Sequence, residues 1–115
     1  MTLDNFLRTL AQSPETLDFT DTMHVIDTNY SFTACAFSNG QQQNEQGQNS
    51  GSCKLFAFAK LQNLNQQQTL DCFGQYYRND VLTKPEGDDH QNIRNFITTG
   101  WDGVIFEGSP LKPIK

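Results

Sequence analysis

Gly47-Gln-Asn-Ser-Gly-Ser-Cys-Lys54 runs directly into Leu55-Phe-Ala-Phe-Ala-Lys-Leu61, and together the two segments indicate the centre of the fold. The first half is polar and interrupted by glycine, whereas the second half is apolar on almost every side of a helix. A helix that is apolar over so much of its surface is buried at the centre of a domain. The sequence therefore predicts a central helix over residues 52–63, capped at its amino end by Ser50 or Ser52.

Apolar residues recur at helical spacing before this stretch. The spacing predicts a helix over residues 3–12 that stops ahead of Pro14, and a second helix with Thr20 or Asp21 as its cap. The apolar positions are Leu3, Phe6, Leu7 and Leu10 in the first helix, and Phe19, Met23, Ile26 and Tyr30 in the second.

Two further helices are predicted after the central one. Residues 65–68 have the pattern of a capping box, which opens a fourth helix that Lys84-Pro85 closes. A fifth helix begins near Asp88-Asp89 and ends at Gly100. The apolar positions are Leu70, Phe73, Tyr77 and Val81 in the fourth helix, and Ile93, Phe96 and Ile97 in the fifth.

Two short apolar segments, 32–37 and 103–106, lack helical spacing and are predicted to pair as antiparallel strands. Residues 39–51 are almost wholly polar and are predicted to form a long loop. The expected architecture is one α+β domain over residues 1–115. It is mainly helical, with about five helices packed with a short two-stranded antiparallel ribbon.

Composition argues against several classes of function. The net charge is −5, and the basic residues are scattered, which argues against a nucleic-acid partner. No apolar run is long enough to cross a membrane, and no signal peptide is recognisable at the amino terminus. The three cysteines, Cys35, Cys53 and Cys72, have neither disulfide-framework nor zinc-site spacing. We therefore expect reduced thiols in a cytoplasmic protein, with no metal and no cofactor.

The junction at the start of the central helix has two interpretations. In the functional one, the helix dipole lowers the pKa of Cys53, and Lys54 requires a compensating anion because it opposes the dipole. That anion would be Asp27, Glu45 or a bound phosphate or carboxylate. In the structural one, Cys53 is a small core residue and Lys54 is solvated.

His90 also has two interpretations. It could act as a general base for Cys53, oriented by Asp27 or Asp89. Alternatively, Asp88, Asp89 and His90 form an acidic first turn that caps the fifth helix. The distance in sequence between His24 and His90 does not suit a metal site.

Tyr76, Tyr77, Arg78 and Arg94 offer aromatic faces and guanidinium groups for stacking or for carboxylate binding. One of the adjacent tyrosines is expected in the core and the other nearer the surface, since neighbours on a helix point about 100° apart. The alternative use of the arginines is in ion pairs with Asp71, Asp80 or Asp89. Trp101 is expected to close the sheet against the fifth helix.

Four motifs, taken in order, resemble the HopJ type III effector family: Asp21–Tyr30, Gly47–Lys54, Cys72–Arg78 and Asp89–Phe96. The resemblance implies a small, mainly helical single domain from a bacterium, delivered into host cells by type III secretion. It brings no established reaction and no catalytic residues.

Two hypotheses of function follow. The first is a non-catalytic protein that binds another protein or a small anionic ligand. Its candidate binding residues are Asn49, Ser52, Lys54, Tyr76, Arg78 and Arg94. The second is a thiol-dependent enzyme that uses Cys53 with His90, and its third candidate residue is Asp27. In both cases we expect the bacterial cytoplasm, or secretion into a host cell, as the location.

Overall fold

A computed structural model describes residues 1–114 of the chain. Five α-helices are the largest elements of the fold, and short strands form two small sheets. The helices are α1 (Leu3–Gln12), α2 (Phe19–Asn29), α3 (Ser50–Leu61), α4 (Gln66–Asp71) and α5 (Gln91–Thr99). The strands are β1 (Tyr30–Phe32), β2 (Phe37–Asn39), β3 (Gln42–Asn44), β4 (Val104–Phe106) and β5 (Leu111–Pro113). The prediction of a mainly helical α+β fold is confirmed.

The central position of α3 is also confirmed. Leu55, Phe56, Phe58 and Ala59 are each 0% exposed. The ring of Phe56 contacts four other aromatic rings, with centroids 5.0 to 6.3 Å apart. These rings belong to Phe37 of β2, Phe73 just after α4, Phe96 of α5 and Trp101 in the turn that follows α5. Segments from both sides of α3 in the sequence therefore share one core around it.

The aromatic cluster around Phe56 supplies much of the buried apolar area. Full burial of one such ring contributes roughly 1.5–3 kcal/mol to the free energy of unfolding. Trp101 closes the cluster, and its ring packs edge-on against Phe96 of α5 with centroids 5.2 Å apart. Its indole N–H donates to the Leu64 carbonyl at 3.1 Å, so the polar atom of this half-buried ring is also satisfied.

α1 follows the predicted spacing, and Phe19, Met23 and Ile26 lie on α2 as predicted. The predicted place of Tyr30 in this helix is wrong, because Tyr30 begins β1, and the cap of α2 is Asp18. The carboxylate of Asp21 accepts a hydrogen bond from the Asp18 backbone N–H at 3.0 Å, so Asp21 is the third helical residue. The prediction of Thr20 or Asp21 as the cap is wrong because Phe19 already lies within the helix. Its own N–H donates to Gln75 Oε1 at 2.9 Å.

The two sheets differ from the predicted ribbon. β1 pairs with β5, and β2 lies between β3 and β4, with all pairs antiparallel. The predicted pairing of the 103–106 segment is confirmed at Phe37, which faces Phe106. A continuous strand over 32–37 is wrong, because residues 33–36 carry the chain from one sheet to the other. The predicted loop over 39–51 is wrong in part, since Gly40 turns the chain (φ +60°) and β3 pairs back on β2.

The fourth helix is interrupted. The predicted capping box is present, with the Asn65 side chain accepting from the Gln68 N–H at 2.7 Å. After α4, however, Gly74 adopts φ +61°, and the chain resumes as a π-helical segment over Tyr76–Val81. The predicted apolar stripe is nevertheless buried throughout, at Leu70, Phe73, Tyr77 and Val81. The apolar residues therefore recur at helical spacing because all four pack against the core, although the helix between them is interrupted.

The last helix ends at Gly100 as predicted, where φ is +61°. Ile93 and Phe96 are buried, but Ile97 is 40% exposed, which contradicts its predicted place in the core. The reason is that the inner face of α5 passes through Asn92, which is buried at 6% exposure. That orientation leaves Ile97 at the edge of the face.

Gly74 provides a test of how the interrupted fourth helix docks on α2. A Cβ at this position would lie 2.5 Å from the Phe19 backbone nitrogen, and the residue has positive φ. We expect Gly74→Ala to lower the free energy of unfolding by more than the roughly 1 kcal/mol that positive φ alone costs. Urea denaturation measures the change.

The matched control is Gly47→Ala. Gly47 also has positive φ (+85°), but no atom lies within 4 Å of the position that its Cβ would take. Equal losses of stability in the two variants would contradict a steric role for Gly74.

Candidate functional site

The amino ends of α3 and α5 meet at one cleft of about 460 Å³. The residues that line it come from both of these ends, from the π-helical segment and from neighbouring parts of the fold. They are Phe19, Gln42, Asn49, Gly51, Ser52, Phe73, Tyr76, His90, Gln91, Asn92 and Ile93. None of these side chains carries a carboxylate.

The amino end of α3 is capped by Asn49 in the left-handed conformation, at φ +52°. The first helical hydrogen bond runs from the Cys53 N–H to the Asn49 carbonyl at 3.0 Å. The N–H groups of Ser50, Gly51 and Ser52 thus precede the helical hydrogen-bond ladder. The predicted serine cap is wrong, because the Ser50 hydroxyl donates to the Gly47 carbonyl at 3.3 Å instead.

The amino end of α5 has the same form. His90 is its cap, at φ +50°, and its carbonyl accepts from Ile93 at 3.0 Å and from Arg94 at 3.1 Å. The N–H groups of Gln91 and Asn92 therefore precede the ladder. The prediction that Asp88 and Asp89 form the first turn is wrong. Asp89 lies before the helix, where its carboxylate accepts from Arg94 Nη2 at 2.6 Å.

The His90 ring is held from two sides by the π-helical segment. It stacks on Tyr76 with centroids 5.1 Å apart and an interplanar angle of 25°. His90 Nε2 lies 3.0 Å from Asp80 Oδ2 and 3.9 Å from Asp89 Oδ2. π-Helical turns are frequent at functional sites. Here the turn brings Tyr76 and Asp80 to the same imidazole.

Beneath the cleft, four asparagines form a network of side-chain hydrogen bonds. Asn44 Oδ1 accepts from Asn49 at 2.6 Å and from Asn92 at 3.0 Å. Asn39 Nδ2 donates to the Asn92 carbonyl at 2.7 Å. The network ties β2 and β3 to the cap residue of α3 and to the first turn of α5. The sequence does not reveal it, because these asparagines carry no spacing signal that separates them from turn residues.

Cys53 lies outside the cleft lining and is only 2% exposed. Burial raises the pKa of its thiol to about 12, and the nearby Cys35 adds to this effect. The functional interpretation, in which the helix dipole lowers the Cys53 pKa, is therefore wrong, because desolvation outweighs the dipole. The structural interpretation of Cys53 as a small core residue is confirmed. A buried, protonated thiol that does not line the cleft with His90 gives the thiol-enzyme hypothesis no support.

The predicted cations have partners within the protein. Lys54 Nζ lies 2.9 Å from Asp27 Oδ1, so Asp27 is the anion that compensates Lys54. Arg94 pairs with Asp89, one of its predicted partners. Arg78 instead donates to the Leu17 carbonyl at 2.7 Å and lies 3.5 Å from Asp18, which was not among its predicted partners.

The structure thus divides the candidate binding residues into two groups. Asn49, Ser52 and Tyr76 line the cleft together with His90. Lys54, Arg78 and Arg94 do not line it and hold structural contacts elsewhere. As predicted for the tyrosine pair, Tyr77 is buried and Tyr76 is nearer the surface.

Within residues 1–114, no group of three or more His, Cys, Asp or Glu residues is arranged to hold a metal ion. No helix in that part of the chain has both the length and the apolar character to cross a membrane.

The chain is similar to known proteins in both sequence and structure. The family model described as HopJ type III effector protein matches residues 3–111. A crystal structure of VPA0580, a protein of unknown function, has 55% sequence identity and a TM-score of 0.96, covering 98% of this chain and 94% of that chain. Among curated proteins, none matches the chain.

The raised Cys53 pKa predicts how stability depends on pH. An unfolded thiol ionises near its ordinary value of 9.0, whereas the folded one stays protonated until about 12. Above pH 9 the unfolded state therefore binds fewer protons, and the free energy of unfolding falls as pH rises. We expect Cys53 to account for a loss of about 1 kcal/mol between about pH 8 and pH 10.

The measurement is the free energy of unfolding of wild type and Cys53→Ala, by urea denaturation across this pH range under reducing conditions. The difference between the two proteins should change with pH, and a constant difference would refute the assignment. Part of the slope should remain in Cys53→Ala, since burial also raises the pKa of Cys72.

Proposed function

The chain belongs to the HopJ type III effector family, and on that premise we propose that it binds a small anionic ligand in the cleft between α3 and α5. The observation that carries the proposal is that two helix amino ends line the same cleft. Each end presents N–H groups and the positive end of a helix dipole, both of which favour a negative charge.

Polar side chains around the cleft add further donors. Ser52 contributes a hydroxyl, and Gln42 and Gln91 contribute side-chain amides. His90 Nε2 faces Asp80, so the imidazole donates to an anion through Nδ1–H when the ring carries both protons. The asparagine network beneath them holds both helix ends in place through Asn44. Donors that are held in position before the ligand arrives lower the entropy cost of binding.

The electrostatic balance of the site also supports an anion. The whole chain carries a net charge of −5, which repels anions at long range. At the cleft itself the lining has no carboxylate. The two aspartates nearest to His90 already have partners: Asp89 pairs with Arg94, and Asp80 faces the His90 imidazole.

Inorganic phosphate is the probe for the first test. In a titration followed by amide chemical shifts, we expect the largest changes at Gly51, Ser52, Gln91 and Asn92. His90→Ala should weaken binding by about tenfold or more, because a hydrogen bond to a charged group contributes roughly 1.5–3 kcal/mol. Chloride at equal ionic strength should leave these amides unchanged.

His24→Ala is the matched control, because His24 is the chain's other histidine and lies on α2 outside the cleft. It should bind phosphate as wild type does. Shifts scattered over the whole surface, or equal weakening in the two histidine variants, would refute the cleft as the anion site.

We further propose that the protein is made in the bacterial cytoplasm and enters host cells by type III secretion. Family membership supports this route. A translocation reporter fused to the carboxyl end of the chain should accumulate in host cells exposed to a secreting strain. Equal accumulation from a strain that lacks the secretion ATPase would contradict the route.

A further inference from the structure

Cys35 and Cys53 meet where the link between the two sheets crosses the first turns of α3. The Sγ atom of Cys53 lies 3.9 Å from the carbonyl oxygen of Cys35. Both thiols are free. Cys53 is buried, whereas Cys35 is partly exposed and can be reached from solvent.

The backbone on either side of Cys35 is fixed. The Thr33 N–H donates to the Pro110 carbonyl at 2.8 Å, and the Glu107 N–H donates to the Ala36 carbonyl at 3.0 Å. These two bonds hold the short link against the carboxyl-terminal part of the chain, so that Cys35 stays opposite α3. The third thiol, Cys72, is 0% exposed and lies at the end of α4.

We propose that Cys35 and Cys53 form a reversible intramolecular disulfide when the protein meets a peroxide. The bond would close a loop over residues 36–52, which includes β2, β3 and the start of α3. Four residues of the cleft lining lie in this loop, namely Gln42, Asn49, Gly51 and Ser52. Oxidation would thus fasten one wall of the cleft, whether or not that cleft binds an anion.

The reaction has two balanced steps. First, the Cys35 sulfur attacks one peroxide oxygen, the O–O bond breaks, and a sulfenic acid and one water form. Second, the Cys53 sulfur attacks the Cys35 sulfur, the S–S bond forms and the S–O bond breaks. The leaving hydroxide takes the Cys53 proton as a second water, so that two thiols lose two electrons and one hydrogen peroxide becomes two waters.

The environments of the two thiols assign these roles. Cys35 meets the oxidant because it is the partly exposed member of the pair. Cys53 is the resolving thiol because burial shields it from peroxide and raises its pKa to about 12. Since a protonated thiol attacks slowly, the Cys35 sulfenic acid should accumulate before the disulfide forms.

The test oxidises the reduced, full-length chain with hydrogen peroxide and follows its intact mass. Disulfide formation lowers the mass by about 2 Da, whereas each retained oxygen raises it by about 16 Da. We expect a transient gain followed by the loss, reversed by dithiothreitol. Cys35→Ser and Cys53→Ala should never show the loss, and Cys72→Ala should behave as wild type.

Peptide mapping identifies the bond. No lysine or arginine lies between Arg8 and Lys54, so trypsin leaves both cysteines in one peptide, residues 9–54. Cleavage after Glu45 then separates them into two pieces that stay joined only by a Cys35–Cys53 disulfide. Stable oxygen addition at Cys35 without this bond, bonds between chains, or a bond to Cys72 would each overturn the proposal.

The oxidised protein should also unfold at a higher urea concentration than the reduced one, because the closed loop restricts the unfolded chain. Cys72→Ala should show the same increase on oxidation. Cys35→Ser should show no increase. Because Cys35 is partly exposed, this substitution leaves the buried Cys53 and the packing around it unchanged. An oxidised wild type with an unchanged or lower midpoint would overturn the claim that the native fold accommodates this bond.

Discussion

Burial of the apolar face of α3 organises the core of this protein. Phe56 lies at its centre and joins β2, the segment after α4, and α5 through aromatic contacts. Phe58, on the same helix, reaches α1 through Phe6 and β1 through Tyr30. Elements from the whole described chain thus pack on a single helix. The amino end of that helix lies at the edge of the core, where Asn49, Gly51 and Ser52 line the cleft.

That edge is where the cleft forms. The residues that precede α3 and α5, Asn49 and His90, both have left-handed backbone. Asparagine and histidine tolerate the left-handed region better than most side chains do. The asparagine network and the stacking of His90 on Tyr76 hold both helix starts in place. The cleft is therefore a consequence of how two helices start, and its polarity follows from their unpaired N–H groups.

Most helices can be predicted from the sequence because their signals are local. The stripe in α1, the capping box of α4 and Gly100 after α5 each depend on residues within a few positions of one another. Two of the wrong predictions have a non-local cause. Residues 33–36 cross between sheets because their hydrogen bonds go to Pro110 and Glu107, which are far away in sequence. Ile97 is exposed because the inner face of α5 passes through the buried Asn92 instead.

The candidate site also has a part that the sequence predicts and a part that it does not. The residues alone identify the Gly47–Lys54 junction as the amino end of a buried helix, with Ser52 among the binding candidates. Only the tertiary structure brings that end to His90, buries Cys53 against Cys35 and pairs Lys54 with Asp27. The physical reason is range. Helical periodicity acts within a few turns of the chain, so the residues of one segment are enough to predict it. The pairing of charges, the desolvation of a thiol and the meeting of two helix ends depend on segments brought together only by folding.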